Sequence, residues 1–222
     1  MRRTTLILSM LAAASLCAAC SDRTTPSAPV SIDVPLSSVA TLPSPTVLTA
    51  ALAALPIITE HPMAGYDRDL FGQPWRDTDH TGCDQRSDAM ARDAQTVTRN
   101  PRRHCQITAI LMIDPYTSEQ LTSTAQIQID HVVPLAAAWR AGADGWNAEL
   151  RERFATDMDN LLPTRSGVNQ AKSDQTPDTW RPPDSAANCH YATIYITICT
   201  RYHLGITAPA HDALAELAGT CR

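Results

Sequence analysis

Positive charge is in short supply. Eighteen Lys and Arg stand against twenty-three Asp and Glu, a net charge of -5, so the chain does not hold nucleic acid by bulk charge as a histone-like or coat-like protein does. A local basic groove stays open. Aromatic residues make up 5%, with two Phe in 222 residues, too few for a single-strand binder built on rows of stacking rings. Charged residues of both signs reach 18%, below the roughly 25% of an average soluble protein. Apolar residues, at 44%, are near normal, which argues against a wholly disordered chain and for one globular domain with something added. There is no internal repeat, and no apolar run reaches the about 20 residues that span a membrane.

Residues 1–20 have the anatomy of an export signal: Arg2 and Arg3, an apolar run from Leu6 to Leu16, then Ala18, Ala19 and Cys20. The Cys-Ala-Ala-Cys ending is similar to a bacterial lipobox, with Cys17 where Leu is usual. Two outcomes follow: a lipid anchor at Cys20, giving a cell-envelope lipoprotein, or simple cleavage and secretion. Residues 21–63 hold seven of the sixteen prolines and no glycine, and read as an extended linker. Within it, Thr46 to Ile58 is apolar enough to form a short helix or to lie on the domain. The folded domain is expected over residues 64–222, starting near Gly65.

Cys83, Cys105, Cys189, Cys199 and Cys221 remain, an odd number in an oxidising compartment. Cys189 and Cys199 lie in one segment, about 15 Å apart as helix or about 33 Å as strand, beyond the roughly 7 Å a disulfide spans. The expected pairs are Cys83 with Cys105 and Cys189 with Cys221, leaving Cys199 a buried thiol, although spacing alone does not fix connectivity. A competing reading is a zinc site built from His80, Cys83, His104 and Cys105. The adjacency of His104 and Cys105 makes tetrahedral binding awkward.

The chemistry concentrates between Gln126 and Trp180. Ile127 and Ile129 alternate with Gln126 and Gln128, a strand that leads into Asp130-His131-Val132-Val133-Pro134. Neighbouring strand side chains point to opposite faces, so Asp130 and His131 share a site only if the strand bends or ends there, which Pro134 favours. Two short helices, Leu135 to Ala141 and Trp146 to Ala155, are expected next, then a second strand over Asn160-Leu161-Leu162-Pro163-Thr164. Ser166 to Lys172 is expected as helix, with Asn169 and Lys172 on one face. Asp130, His131, Asn160, Asn169 and Lys172 would then converge. Such a cluster suits phosphodiester hydrolysis: hard oxygen donors hold Mg2+, and a neutral imidazole activates water.

These segments, with Arg165-Ser166 and Asn169-Gln170-Ala171-Lys172-Ser173-Asp174, resemble the HNH endonuclease motif, the His-Me finger or ββα-metal centre. Four further stretches, Tyr66 to Gly72, Gly82 to Asp88, Asp114 to Thr117 and Trp180 to Pro183, resemble the exported HNH endonucleases of actinobacteria, related to the C-terminal nuclease part of GmrSD-type restriction enzymes. The resemblance implies Asp130 and Asn169 as metal ligands for Mg2+ or Mn2+, and His131 as general base. It also implies Asn160 as loop-orienting and Lys172 as a phosphate contact. Cys199 departs from the family, where Lys is usual.

The expected fold is α+β, a ββα-metal (HNH, His-Me finger) core with surrounding helices and two disulfides. Arg86, Asp88, Arg92 and Asp93 read as a salt-bridged structural helix rather than a substrate face. The segment Asn188 to Leu204 is rich in β-branched residues, yet Tyr191, Ile194, Tyr195, Ile198 and Tyr202 form one helical stripe. Pro209 and Gly219 frame a final helix, Ala208 to Ala218. The expected function is a metal-dependent endonuclease acting on DNA, with RNA left open, outside the cytoplasm and with low sequence specificity. The alternative is a non-catalytic envelope lipoprotein using the same fold as a binding or structural module, and a zinc-bound structural domain is a third reading.

Overall fold

A computed structural model describes residues 44–221; the export signal, Cys17, Cys20 and the linker up to residue 43 lie outside the described residues. In chain order the elements are α1 (Pro45–Ala53), α2 (Gln85–Asp93), β1 (Thr96–Asn100), β2 (Arg103–Ile113), β3 (Gln120–Leu121), β4 (Ile127–His131), α3 (Leu135–Arg140), α4 (Ala148–Ala155), β5 (Leu161–Arg165), α5 (Ser166–Lys172), α6 (Asn188–Arg201) and α7 (Ala208–Ala218). Helices and strands mix without a parallel sheet, an α+β arrangement. Strands β1, β2 and β3 form one antiparallel sheet, and β4 pairs antiparallel with β5. None of the described helices is long and apolar enough to cross a membrane.

Two apolar clusters meet at the β4–β5 pair. One is helical, with Leu48, Leu52, Phe154, Tyr191, Ile196 and Leu214; the other includes Met90, Met112, Leu121, Ile127 and Leu161. Leu161 belongs to the second and its neighbour Leu162 to the first, as strand alternation requires. Helix α2 clamps the pair from outside. Arg86 donates to Ile127 O at 2.8 Å and Arg92 to Leu161 O at 2.7 Å, so the charges of this helix serve the scaffold.

The domain starts earlier than residue 64. Leu48, Leu52 and Leu55 bury one face of α1 and its exit in the helical cluster, and Ser44 caps α1 with Pro45 in its first turn. The chain then bridges Ile57 to Ile206, with Ile58 N donating to Ile206 O at 2.9 Å. Proline content made this stretch resemble a tether, but here the prolines flank a helix and do not interrupt it.

Segment 188–201 is helix. Tyr191, Tyr195 and Ile198 are buried along one side and Ala192, Ile196 and Cys199 beside them, so tertiary packing overrides the β-branched propensity. The disulfides are Cys83–Cys105 and Cys189–Cys221, with Cα separations of 5.1 and 5.0 Å. They close spans of 22 and 32 residues, worth about 3–4 kcal/mol each by the chain-entropy account. Cys199 is buried and has no disulfide partner among the described residues, and burial pushes its thiol far above the ordinary range. Cys83, His104 and Cys105 do lie together, but both sulfurs are spent on a disulfide and offer no thiolate to zinc.

Candidate active site

The ββα unit is β4, β5 and α5. Asp130 pairs with Leu162 and His131 with Leu161 at the end of the ladder, and β5 runs into α5 without a break. Asp114 fixes this corner. One of its carboxylate oxygens accepts from Tyr116 N at 2.8 Å and Thr117 N at 3.1 Å; the other accepts from Thr164 Oγ1 at 2.9 Å and from Arg165 N. The Asp114-to-Thr117 stretch thereby joins the end of β2 to the end of β5 and delivers Tyr116.

Tyr116 donates its hydroxyl to Asp130 Oδ2 at 2.7 Å. On the other oxygen sits Lys172, the single lysine of the chain. It is wholly buried, with Nζ 2.8 Å from Asp130 Oδ1 and 2.9 Å from His131 O. Trp180 covers it, its ring centroid 5.9 Å from Nζ, and packs edge-on against Tyr116 and Tyr191. Burial pushes the Asp130 carboxyl up and the Lys172 ammonium down, and each holds the other toward its charged form. The expectation of Lys172 as a phosphate contact does not fit this placement: the side chain has no exposed surface and its ammonium bonds Asp130 and His131 O. The negative charge of Asp130 is thus balanced by Lys172 inside the buried centre.

Asn160 is also fully buried. Its Oδ1 accepts from Val133 N at 2.8 Å and its Nδ2 donates to Val133 O at 3.1 Å, while its own carbonyl accepts from Val132 N. These bonds hold the Val132-Val133 loop that follows His131, and they occupy both ends of the Asn160 amide.

His131 places Nε2 2.9 Å from Ala155 O. A carbonyl only accepts, so Nε2 carries the proton and the neutral ring keeps its lone pair on Nδ1. Burial lowers the imidazole from 6.5 to about 4, against the opposing pull of the Ala155 hydrogen bond. Between those two values the unfolded chain takes up a proton that the folded ring refuses. Stability in EDTA is thus expected to fall as pH drops from about 6.5 to about 4. Urea midpoints across that range check it, and His131→Gln should flatten the slope.

Asp130, His131 and Asn169 line one cavity of about 400 Å³, with Tyr66, Gln128 and Arg68 also in its wall. Three of the five expected site residues open on it and the other two brace it. Asn169 donates Nδ2 to Gln128 Oε1 at 2.9 Å, which leaves its Oδ1 without a donor among the described residues. A carboxylate and a free amide oxygen form a hard donor pair suited to Mg2+ or Mn2+, and the residues fit such an ion. Each Asp130 oxygen carries one hydrogen bond and has a second lone pair to offer. Arg68 was not anticipated as a site residue. It is exposed and makes no ion pair or hydrogen bond among the described residues, whereas Arg76, Arg92, Arg140, Arg165, Arg181 and Arg201 all face carboxylates. Its only sequence signal is its place in the Tyr66-to-Gly72 stretch.

The family model for the C-terminal domain of GmrSD restriction endonucleases matches residues 84–217. The chain belongs to the GmrSD C-terminal domain family. This GmrSD-type domain is also 33% identical, over 189 residues, to an uncharacterized secreted protein of the fungus Arthroderma benhamiae. The match covers 84% of the chain and 91% of the relative, so the resemblance is not confined to bacteria. No solved structure matches. Residues 44–83, with α1 and Arg68, precede the matched GmrSD segment and complete its core and cavity.

Proposed function

We propose that this domain is a divalent-metal-dependent endonuclease that hydrolyses phosphodiester bonds of DNA, with low sequence specificity, outside the cytoplasm. The carrying observation is the shared cavity: an imidazole, a carboxylate, an amide oxygen and a guanidinium line it, and among the described residues Nδ1, the amide oxygen and the guanidinium have no partner. Asp130 and Asn169 Oδ1 would hold Mg2+ or Mn2+. Such an ion, when bound, stabilises charge on the phosphate and the leaving oxygen. His131 Nδ1 takes the proton of the attacking water, and burial keeps the ring neutral for that task. Arg68 clamps the phosphate by charge-assisted hydrogen bonds. Lys172 and Tyr116 hold the Asp130 carboxylate, and Asn160 holds the loop beyond His131. The resemblance to HNH endonucleases implies that the ends left are a 5′-phosphate and a 3′-hydroxyl.

One observation favours the non-catalytic alternative: both Asp130 oxygens already have protein partners. Supercoiled plasmid decides between the readings. Nicking in Mg2+ or Mn2+ that stops in EDTA is expected; plasmid, single-stranded DNA and RNA all left intact under every metal would leave only a binding module. A parallel incubation with structured RNA sets the substrate. The two disulfides and the secreted relative support export. The lipid anchor at Cys20 is part of the proposal and is tested by labelling with a radioactive fatty acid.

A further inference from the structure

A second cavity of about 150 Å³ adjoins the first, sharing His131 and Arg68 with it. At ~30 Å³ per water it holds about five, the scale of one heteroaromatic ring. Phe71, Pro74 and Trp75 supply apolar wall. Trp75 is half-buried, packs against the sheet cluster and adopts φ 58°, a left-handed conformation that bulky residues rarely take.

The polar group in this wall is Gln85, 2% exposed. Its Nε2 donates to Thr156 O at 2.6 Å and lies 3.3 Å from Thr78 Oγ1. Because Thr156 O only accepts, the amide cannot be turned round. Gln85 Oε1 has no donor among the described residues and is not sealed from solvent as the unpaired buried atoms elsewhere are, so it opens on the cavity. Once an occupant displaces water from the cavity, this oxygen needs a donor from that occupant.

We propose that this cavity is a subsite for one unpaired nucleobase bearing an exocyclic amine, from the nucleotide next to the bond that is cut. Trp75 is its stacking platform and Gln85 Oε1 accepts from its amine. The proposal rests on the nuclease reading, since His131 and Arg68 border both cavities and a strand crossing them sets a phosphate in the first and its neighbouring base in the second. Cytosine is the smallest natural base that fits. Its N4 donates where thymine presents the O4 acceptor, and two acceptors face to face repel. Base-paired DNA must extrude the nucleotide first, so single strands and frayed ends are preferred over intact duplex.

Single-stranded oligonucleotides of dT with one dC, cut by the full chain and mapped by sequencing, test this. Wild type is expected to cut beside dC about tenfold more often than beside dT at the same position, the cost of an unmet buried acceptor. In Gln85→Met the ratio of dC to dT cutting falls to within about twofold. A second readout needs no turnover: cytidine quenches tryptophan fluorescence more strongly than thymidine does, and Trp75→Phe abolishes the difference. Equal cutting at dC and dT with no cytidine-selective quenching overturns the subsite and leaves the nuclease reading standing. Selective quenching without any cutting overturns the nuclease reading and leaves the subsite standing.

Discussion

Lys172→Met is expected to lower stability in EDTA by about 3–5 kcal/mol, because it strands a buried carboxylate without its counter-charge. Asp130 is 3% exposed and keeps only the Tyr116 hydroxyl as a partner once Nζ is gone. Urea unfolding measures the loss. A cost below about 1 kcal/mol would mean the pair behaves like an exposed salt bridge, and the account of a sealed, charge-balanced centre would fail. Millimolar Mg2+ should restore more stability to the variant than to wild type, since a divalent cation beside Asp130 takes over the missing positive charge.

His131→Ala should reduce metal-dependent plasmid nicking about 10³-fold, the middle of the range for loss of a general base, while leaving thermal stability close to wild type. Among the described residues the ring's one hydrogen bond is to Ala155 O at the end of α4, so little structure depends on it. Residual nicking within about tenfold of wild type would remove His131 from the chemistry. The corresponding Asp130→Asn experiment is ambiguous. It would leave Lys172 buried without its carboxylate, and loss of activity would follow from unfolding as readily as from loss of a ligand.

The ββα unit was legible because three independent local signals agreed. Alternation marked β4, a short apolar run marked β5, and Ser166 to Lys172 had helical composition; the resemblance then joined them. Asn169 and Lys172 do share α5, but spacing could not say that one would open on the cavity and the other sink beneath it. That difference comes from Tyr116, Trp180 and Tyr191, which arrive from other parts of the chain and wall off Nζ. Helix α1 was obscured for a related reason, since its leucines find their partners on α6 and α7, far along the sequence. Arg68 and Gln85 are set apart by three-dimensional surroundings alone: a guanidinium without a partner and an amide oxygen without a donor among the described residues, both in cavity walls.

The most direct test of the centre is Mn2+ binding, followed by water-proton relaxation in the presence of a short oligonucleotide with non-hydrolysable linkages, for wild type and Asn169→Ala. Asn169 is partly exposed and bonds only Gln128 through its side chain, so this variant should fold as wild type does. One Mn2+ per chain is expected, with affinity at least tenfold weaker in the variant, as befits loss of a ligand. Equal Mn2+ affinity in the two proteins would contradict a metal held between Asp130 and Asn169.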